Sequence, residues 1–452
     1  MKNLFTFKKL SALLLAILLV LTCVACDTTQ TPADTSAEVT TSAAPQTEAA
    51  TTAPETTAPA TTVPDSTEAA PGDDTPADPP VKVDTSAPIL IVPEGRIKNI
   101  IIVIGDGMGK NHIASAEWAS GREFTFDDWT CVSANTDSAN LDGSVITEGY
   151  TDSSAAATAL ASGKLTVNGY VGIDHQSLPV TTILDYARQY GKATGVVTTD
   201  TLAGATPAGF TAHAQSRDNA DEILRSQLTS GVDLLCGAPL AACENMRADI
   251  EAAGFAWCND FSTVDDTLFA DKVYWQFDMT VGSSAPSVWL QDATVKALDY
   301  LDQDDHGFVL MVEQAHIDKS SHESVSGSSI AYKKAEKCVN NLSDTVDAII
   351  EWLGDRNDTA IIVTADHETG GLIISDKETA ECTRKYKAAD DTYFYYNWTS
   401  GGAHSNAEVN LYIYGFETDF ASFDYYASAE KIKNINTFDI MYDILVNPPK
   451  YD

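Results

Sequence analysis

"KNIIIVIGDGMG", residues 98–109, runs five β-branched residues without a break into a Gly-Asp-Gly turn. Such a run favours strand, and the lack of polar alternation means that both faces are buried. Four more stretches read the same way: "ATGVVTT" (193–199), "GFVLMVE" (307–313), "TAIIVTADH" (359–367) and "VNLYIYG" (409–415). Between them lie amphipathic helical patterns, among them "ATVKALDYLD" (293–302) and "IAYKKAEKCVNNLSDTVDAIIEWLGD" (330–355). Continuous apolar strands alternating with helices predict an α/β fold. Its core is a large, mostly parallel central sheet with helices on both faces. In such a sheet the ligand site lies beyond the carboxyl ends of the strands.

What ends each strand carries the chemistry. The first ends in Asp106, and the third in Glu313, with Asp318 and His322 in the segment that follows. The fourth ends in Asp366 and His367, and His404 comes just before the fifth. Carboxylates gathered unpaired at one buried edge would repel each other at considerable cost. Divalent metal resolves the conflict. Oxygen and imidazole donors without thiolate suit zinc in a catalytic site, or magnesium where only oxygens meet. A second stretch, "YTDSSAAATALASG" (150–163), breaks into an alanine-rich helix near Ser153 or Ser154. A hydroxyl at a helix start can cap it, or can be a nucleophile set at its positive end.

Together these segments resemble the metal-dependent alkaline phosphatases over about residues 97–415. "IGDGMG" (104–109) resembles the family's first metal-binding turn, and "TDSSAAATALASG" its nucleophile helix. "ATP" (205–207) and "HAQSRDN" (213–219) resemble its threonine ligand and substrate arginine. "VEQAHIDKSSH" (312–322), "TADHETGG" (364–371) and "SGGAHSN" (400–406) resemble its remaining metal segments. The resemblance implies two zinc ions and one magnesium ion. Asp318, His322 and His404 would hold the first zinc, and Asp106, Asp366 and His367 the second. Asp106 would be shared with the magnesium, completed by Thr206 and Glu313. Ser153 would be the nucleophile and the helix cap at once, and Arg217 would bind phosphate. The implied reaction is hydrolysis of phosphate monoesters through a phosphoserine. The alternative is a phosphodiesterase of the same superfamily, which commonly uses Thr and lacks the Arg. Three positions depart from or colour the pattern: Ser154 stands where the family usually has Ala, Gly204 where many relatives carry Asp or His, and Lys319 follows Asp318.

The remaining sequence bounds where and on what such a protein acts. The net charge of −37 argues against nucleic acid as a partner. Residues 1–25 hold Lys2, Lys8, Lys9 and an apolar run, a secretory signal whose end resembles the bacterial lipobox, with Cys26 as the lipidated residue. Residues 26–88 are rich in Thr, Ala, Pro and acidic residues, the composition of a disordered linker. A catalytic domain would occupy residues 89–452. These features lead us to expect a protein tethered through lipid to the outer face of a cell membrane, scavenging phosphate from small monoesters. Members of the family occur as dimers and as monomers, so a homodimer stays open. The six cysteines of the proposed catalytic domain show no Cys-x-x-Cys spacing, and their pairing is not set by sequence.

Overall fold

The computed structural model describes residues 97–281, 285–326, 329–415, 426 and 428–448. The proposed leader, lipidated Cys26 and linker lie outside the described residues. Ten strands form one sheet. In spatial order they are Ile432–Lys433, Thr130–Asn135, Val409–Tyr414, Thr359–Thr364, Asn99–Gly105, Phe308–Gln314, Ala193–Thr201, Leu234–Ala238, Lys272–Gln276 and Phe255–Cys258. All pairings are parallel except those of Val409–Tyr414, which runs antiparallel to both neighbours. The five apolar stretches occupy five adjacent positions, the third to the seventh in that order. Asn99–Gly105, Phe308–Gln314 and Thr359–Thr364 are buried at every residue.

Two groups of helices cover the sheet and pack within themselves rather than on each other. One comprises Lys110–Ser120, Leu290–Leu301 and Ser329–Leu353; the other comprises Ser153–Ser162, Ile183–Gln189, Ala205–Thr211 and Asn436–Val446. The mostly parallel sheet with helices is therefore as the apolar pattern predicts. No helix among the described residues is long and apolar enough to cross a membrane.

Register delivers the functional residues to one edge. Ile104 pairs with both Glu313 and Thr364, so the segments that leave these strands, with Asp106 and Asp366, emerge level with Glu313. The reversed direction of Val409–Tyr414 explains how His404, which precedes its strand, reaches that same edge. A two-residue ribbon completes the placement by pairing His404 with Thr369 and Ser405 with Glu368. The aromatic stretch 389–402 does not need a role at the site. Phe394, Tyr396 and Trp398 pack with Tyr332, Leu372 and Ala119 in a second small core, on a three-stranded sheet of their own. The six described cysteines are all free thiols, five of them buried.

Candidate active site

The helix Ser153–Ser162 starts the site. Its alanines favour helix, its small side chains keep the girth small, and all ten residues are buried. It packs tightly on Ala205–Thr211: a Cβ on Gly209 would stand 2.7 Å from the Ala157 Cβ. The sequence reading gave Ser153 both duties at this helix start, and the structure separates them. Asp152 is the N-cap, and its carboxylate accepts from Ala155 N at 2.9 Å. The same carboxylate accepts from the Ser154 hydroxyl, from Gly169 N at 2.9 Å and from Arg217 Nη1 at 3.1 Å. With capping done by its neighbour, the Ser153 hydroxyl is free to point at the centre. Its Oγ lies 3.1 Å from His367 Nε2. Ser154 faces away, spent on Asp152.

Two clusters of acidic and imidazole donors flank that hydroxyl. Asp106, Asp366 and His367 bring three donor atoms within 4.8 Å of one another, and so do Asp318, His367 and His404. His322 joins the second cluster, with Nε2 3.2 Å from Asp318 Oδ2 and 3.3 Å from His404 Nε2. The three imidazoles share one arrangement. His404 Nδ1 donates to Thr151 O at 2.8 Å, His322 Nδ1 to Gly402 O at 2.5 Å, and His367 Nδ1 faces Thr369 Oγ1 at 3.2 Å. The Thr369 hydroxyl donates in turn to Asp318 Oδ1 at 2.5 Å, so it is free to accept from His367. Each ring thus commits Nδ1 to the protein and turns Nε2 towards the carboxylates, the pattern of imidazoles oriented as metal ligands. Asp366 is held by Gly107 N and His367 N through Oδ1, leaving Oδ2.

A third, oxygen-only group adjoins the first. The Thr198 hydroxyl donates to Glu313 Oε2, and Thr206 neighbours Glu313. Electrostatics show what this arrangement lacks. Burial, then the charges of Asp366, Asp318 and Glu313, raises the Asp106 carboxyl well above its usual range. Burial pushes Asp366 up to about 7, and burial with the Asp200 charge pushes Glu313 up to about 8. Burial would raise Asp318 too, but hydrogen bonds from His322 and His404 hold it well below the usual range. His367 is lowered by burial and by the adjacent His404, whose ring stacks on it at 3.7 Å between centroids. Asp106 Oδ1, Asp366 Oδ2 and the Thr206 hydroxyl are buried without a hydrogen-bond partner. Buried polar atoms are rarely left so. Orphaned oxygens facing crowded carboxylates and aligned imidazoles fit divalent cations.

All ten residues singled out in sequence thus fall on one edge or border it. Arg217 sits on Asp152, and its charge is felt at Asp106 and His367. Burial works against that charge, yet Asp152 together with Asp106 and Asp318 raises the guanidinium pKa. His112, His213 and His316, which sequence gave no role, are engaged by Ser321, Gly172 O and Thr199 respectively. What sequence missed is the supporting set. Thr369, two residues after His367, offered a signal through its spacing; the carbonyls of Thr151 and Gly402 offered none.

Comparison with known proteins agrees with the geometry. A sequence model described as alkaline phosphatase matches residues 97–243 and 267–443. Alkaline phosphatase 4 of Bacillus subtilis (strain 168) is 31% identical over 304 residues, 62% of this chain and 63% of that protein. The chain therefore spans just under two thirds of the length of that relative. The alkaline phosphatase of Escherichia coli (strain K12) is 27% identical over 387 residues, 70% of this chain and 81% of the other. Among solved structures, a cold-active alkaline phosphatase from a psychrophilic Shewanella sp. superposes with a TM-score of 0.65 at 24% identity, covering 77% of this chain and 99% of that one. With its sheet, its helix-borne serine and its paired donor clusters, the chain belongs to the alkaline phosphatase family.

Proposed function

We propose that the protein hydrolyses phosphate monoesters to alcohol and inorganic phosphate through a phosphorylated Ser153. The observation that carries this reading is the Ser153 hydroxyl, 3.1 Å from His367 Nε2 at a helix N-terminus between two donor clusters. Asp106, Asp366 and His367 would hold one zinc, Asp318, His322 and His404 the other, and Asp106, Thr206 and Glu313 the magnesium. Bound there, the ions supply Lewis acidity, neutralising the dianion and lowering the pKa of an alcohol or water oxygen. The rest is the work of this chain. Ser153 attacks phosphorus as the alcohol oxygen departs on the opposite side, and water later attacks the phosphoserine in the same line. The start of helix Ser153–Ser162 adds its positive end to the phosphoryl anion. Arg217, on its Asp152 tether, offers a planar fork to two phosphate oxygens. Serine together with this arginine favours monoesters over diesters. A sulfatase would need a Cys/Ser-x-Pro-x-Arg frame, and Ser153 is followed by Ser154 and Ala155.

The leader, Cys26 and the acidic linker support a lipid-anchored protein on the outer face of a membrane, scavenging phosphate. One assay series tests the catalytic reading. An aryl phosphate should be cleaved, faster than the matching diester or sulfate; chelator and Ser153→Ala should each abolish turnover. Elemental analysis should find zinc and magnesium near two to one. Diester turnover exceeding monoester turnover, or full activity in Ser153→Ala, would refute it.

A further inference from the structure

Beyond the two donor clusters, one charged pair at the same edge has no part in the mechanism above. Lys319 Nζ and Asp200 Oδ1 are 2.5 Å apart. Asp200 lies at the end of strand Ala193–Thr201, where the pairing with Leu234–Ala238 shifts register between Val197 and Thr201. The shift leaves Asp200 anchored locally: its N–H donates to the Thr198 hydroxyl at 2.9 Å, and Oδ1 accepts from Thr201 N at 2.7 Å. Thr198 is the residue that donates to Glu313. The second oxygen, Oδ2, points into the hollow at Gly204, 2.6 Å from where a Cβ would stand. Gly204 is two residues before Thr206, whose buried hydroxyl has no partner. Asp200 therefore backs Glu313 on one side and fills the space before Thr206 on the other. Only glycine at 204 leaves room for it.

We propose that Asp200 is a positioning residue of the oxygen-only cation site formed by Asp106, Thr206 and Glu313, acting on the cation through its charge from outside the ligand set, anchored by its contacts with Thr198 and Thr201 and paired with Lys319. The proposal rests on the three-ion reading above. Charge supports it: three carboxylates and one ammonium leave two negative charges, which one dication neutralises. Magnesium keeps several waters and takes few protein ligands, so a carboxylate just outside the ligands still bears on its affinity.

The test is calorimetric titration of zinc-loaded protein with magnesium chloride. Asp200→Asn should weaken magnesium binding by roughly 10–100-fold, the usual effect of an outer-shell partner. Gly204→Ala, which crowds the same carboxylate, should weaken it in the same sense. Lys319→Met breaks the same ion pair but removes a positive charge, so it should leave magnesium affinity unchanged or tighter. A merely structural ion pair would make Asp200→Asn and Lys319→Met weaken binding alike, and that result overturns the proposal. Unaltered affinity in Asp200→Asn also overturns it. Failure of the wild-type protein to bind magnesium would overturn the three-ion reading along with it, whereas the aryl phosphate assay scores the phosphatase reading separately.

Discussion

Metal loading should expel protons, in a number that depends on pH in a definite way. Without cations, Asp366 titrates at about 7 and Glu313 at about 8, because burial disfavours their charge. At pH 6 these two carboxyls hold about two protons between them, and at pH 8.5 about 0.3. Hydrogen bonds to Asp318 also raise His322, and raise His404 against its burial, so both rings add to the protons held on the acid side. Ligands must bind as carboxylates and free imidazole nitrogens, so loading releases whatever the site holds. The expectation is at least two protons released per chain at pH 6, and fewer at pH 8.5. The overall apparent constant for loading both ions should accordingly weaken about 100-fold for each pH unit below 7, about 10-fold for the ion that Asp366 holds and about 10-fold for the ion that Glu313 holds. Calorimetry of the apoprotein with zinc and magnesium, repeated in buffers of different ionisation enthalpy, counts the protons directly. Release that is the same at both pH values, or close to zero at pH 6, would show that the buried carboxyls are not ligands.

Stability of the apoprotein should follow from the same groups. Asp366 and Glu313 have native pKa values raised above their unfolded ones, so the stability they contribute is full below about pH 4 and is lost as pH rises to about 8. The melting temperature of chelated protein should therefore fall between pH 5 and pH 8, and metal should abolish that fall, as thermal scans would show. Asp152→Ala removes the cap and the Arg217 tether together. It should cost about 1–2 kcal/mol in denaturant unfolding, and should raise KM for an aryl phosphate more than Ser154→Ala does. Thr369→Val removes the hydroxyl shared by Asp318 and His367. Zinc affinity by competition with a chromogenic chelator should drop about 10–100-fold while the fold persists by circular dichroism.

How far the sequence could be read depends on which physical signal each element leaves. The central strands are legible because burial on both faces forces an unbroken β-branched run, as in Ile100–Ile104. The remaining strands lose that signal. Thr130–Asn135 alternates buried and half-exposed residues, and Phe255–Cys258 is four residues long. Helices between apolar strands predict a mostly parallel sheet, but the hydropathy of a single strand does not show that it is the reversed one. His404 precedes its strand, and the antiparallel direction of Val409–Tyr414 is what brings it to the same edge as the residues that follow theirs. Site residues were legible because buried charge is costly and therefore rare, so each carboxylate at the end of an apolar run stands out. Their supports were not. Thr151 and Gly402 hold the imidazoles by backbone carbonyls that every residue carries, and Asp200 meets Lys319 only through the fold. The helix start shows the limit most sharply. Any of Asp152, Ser153 and Ser154 could cap it, and only the direction of each side chain decides. Asp152 takes the cap because its carboxylate can accept from Ala155, Ser154, Gly169 and Arg217 together. A serine hydroxyl accepts too few bonds to do that, and one spent on capping could not also face His367.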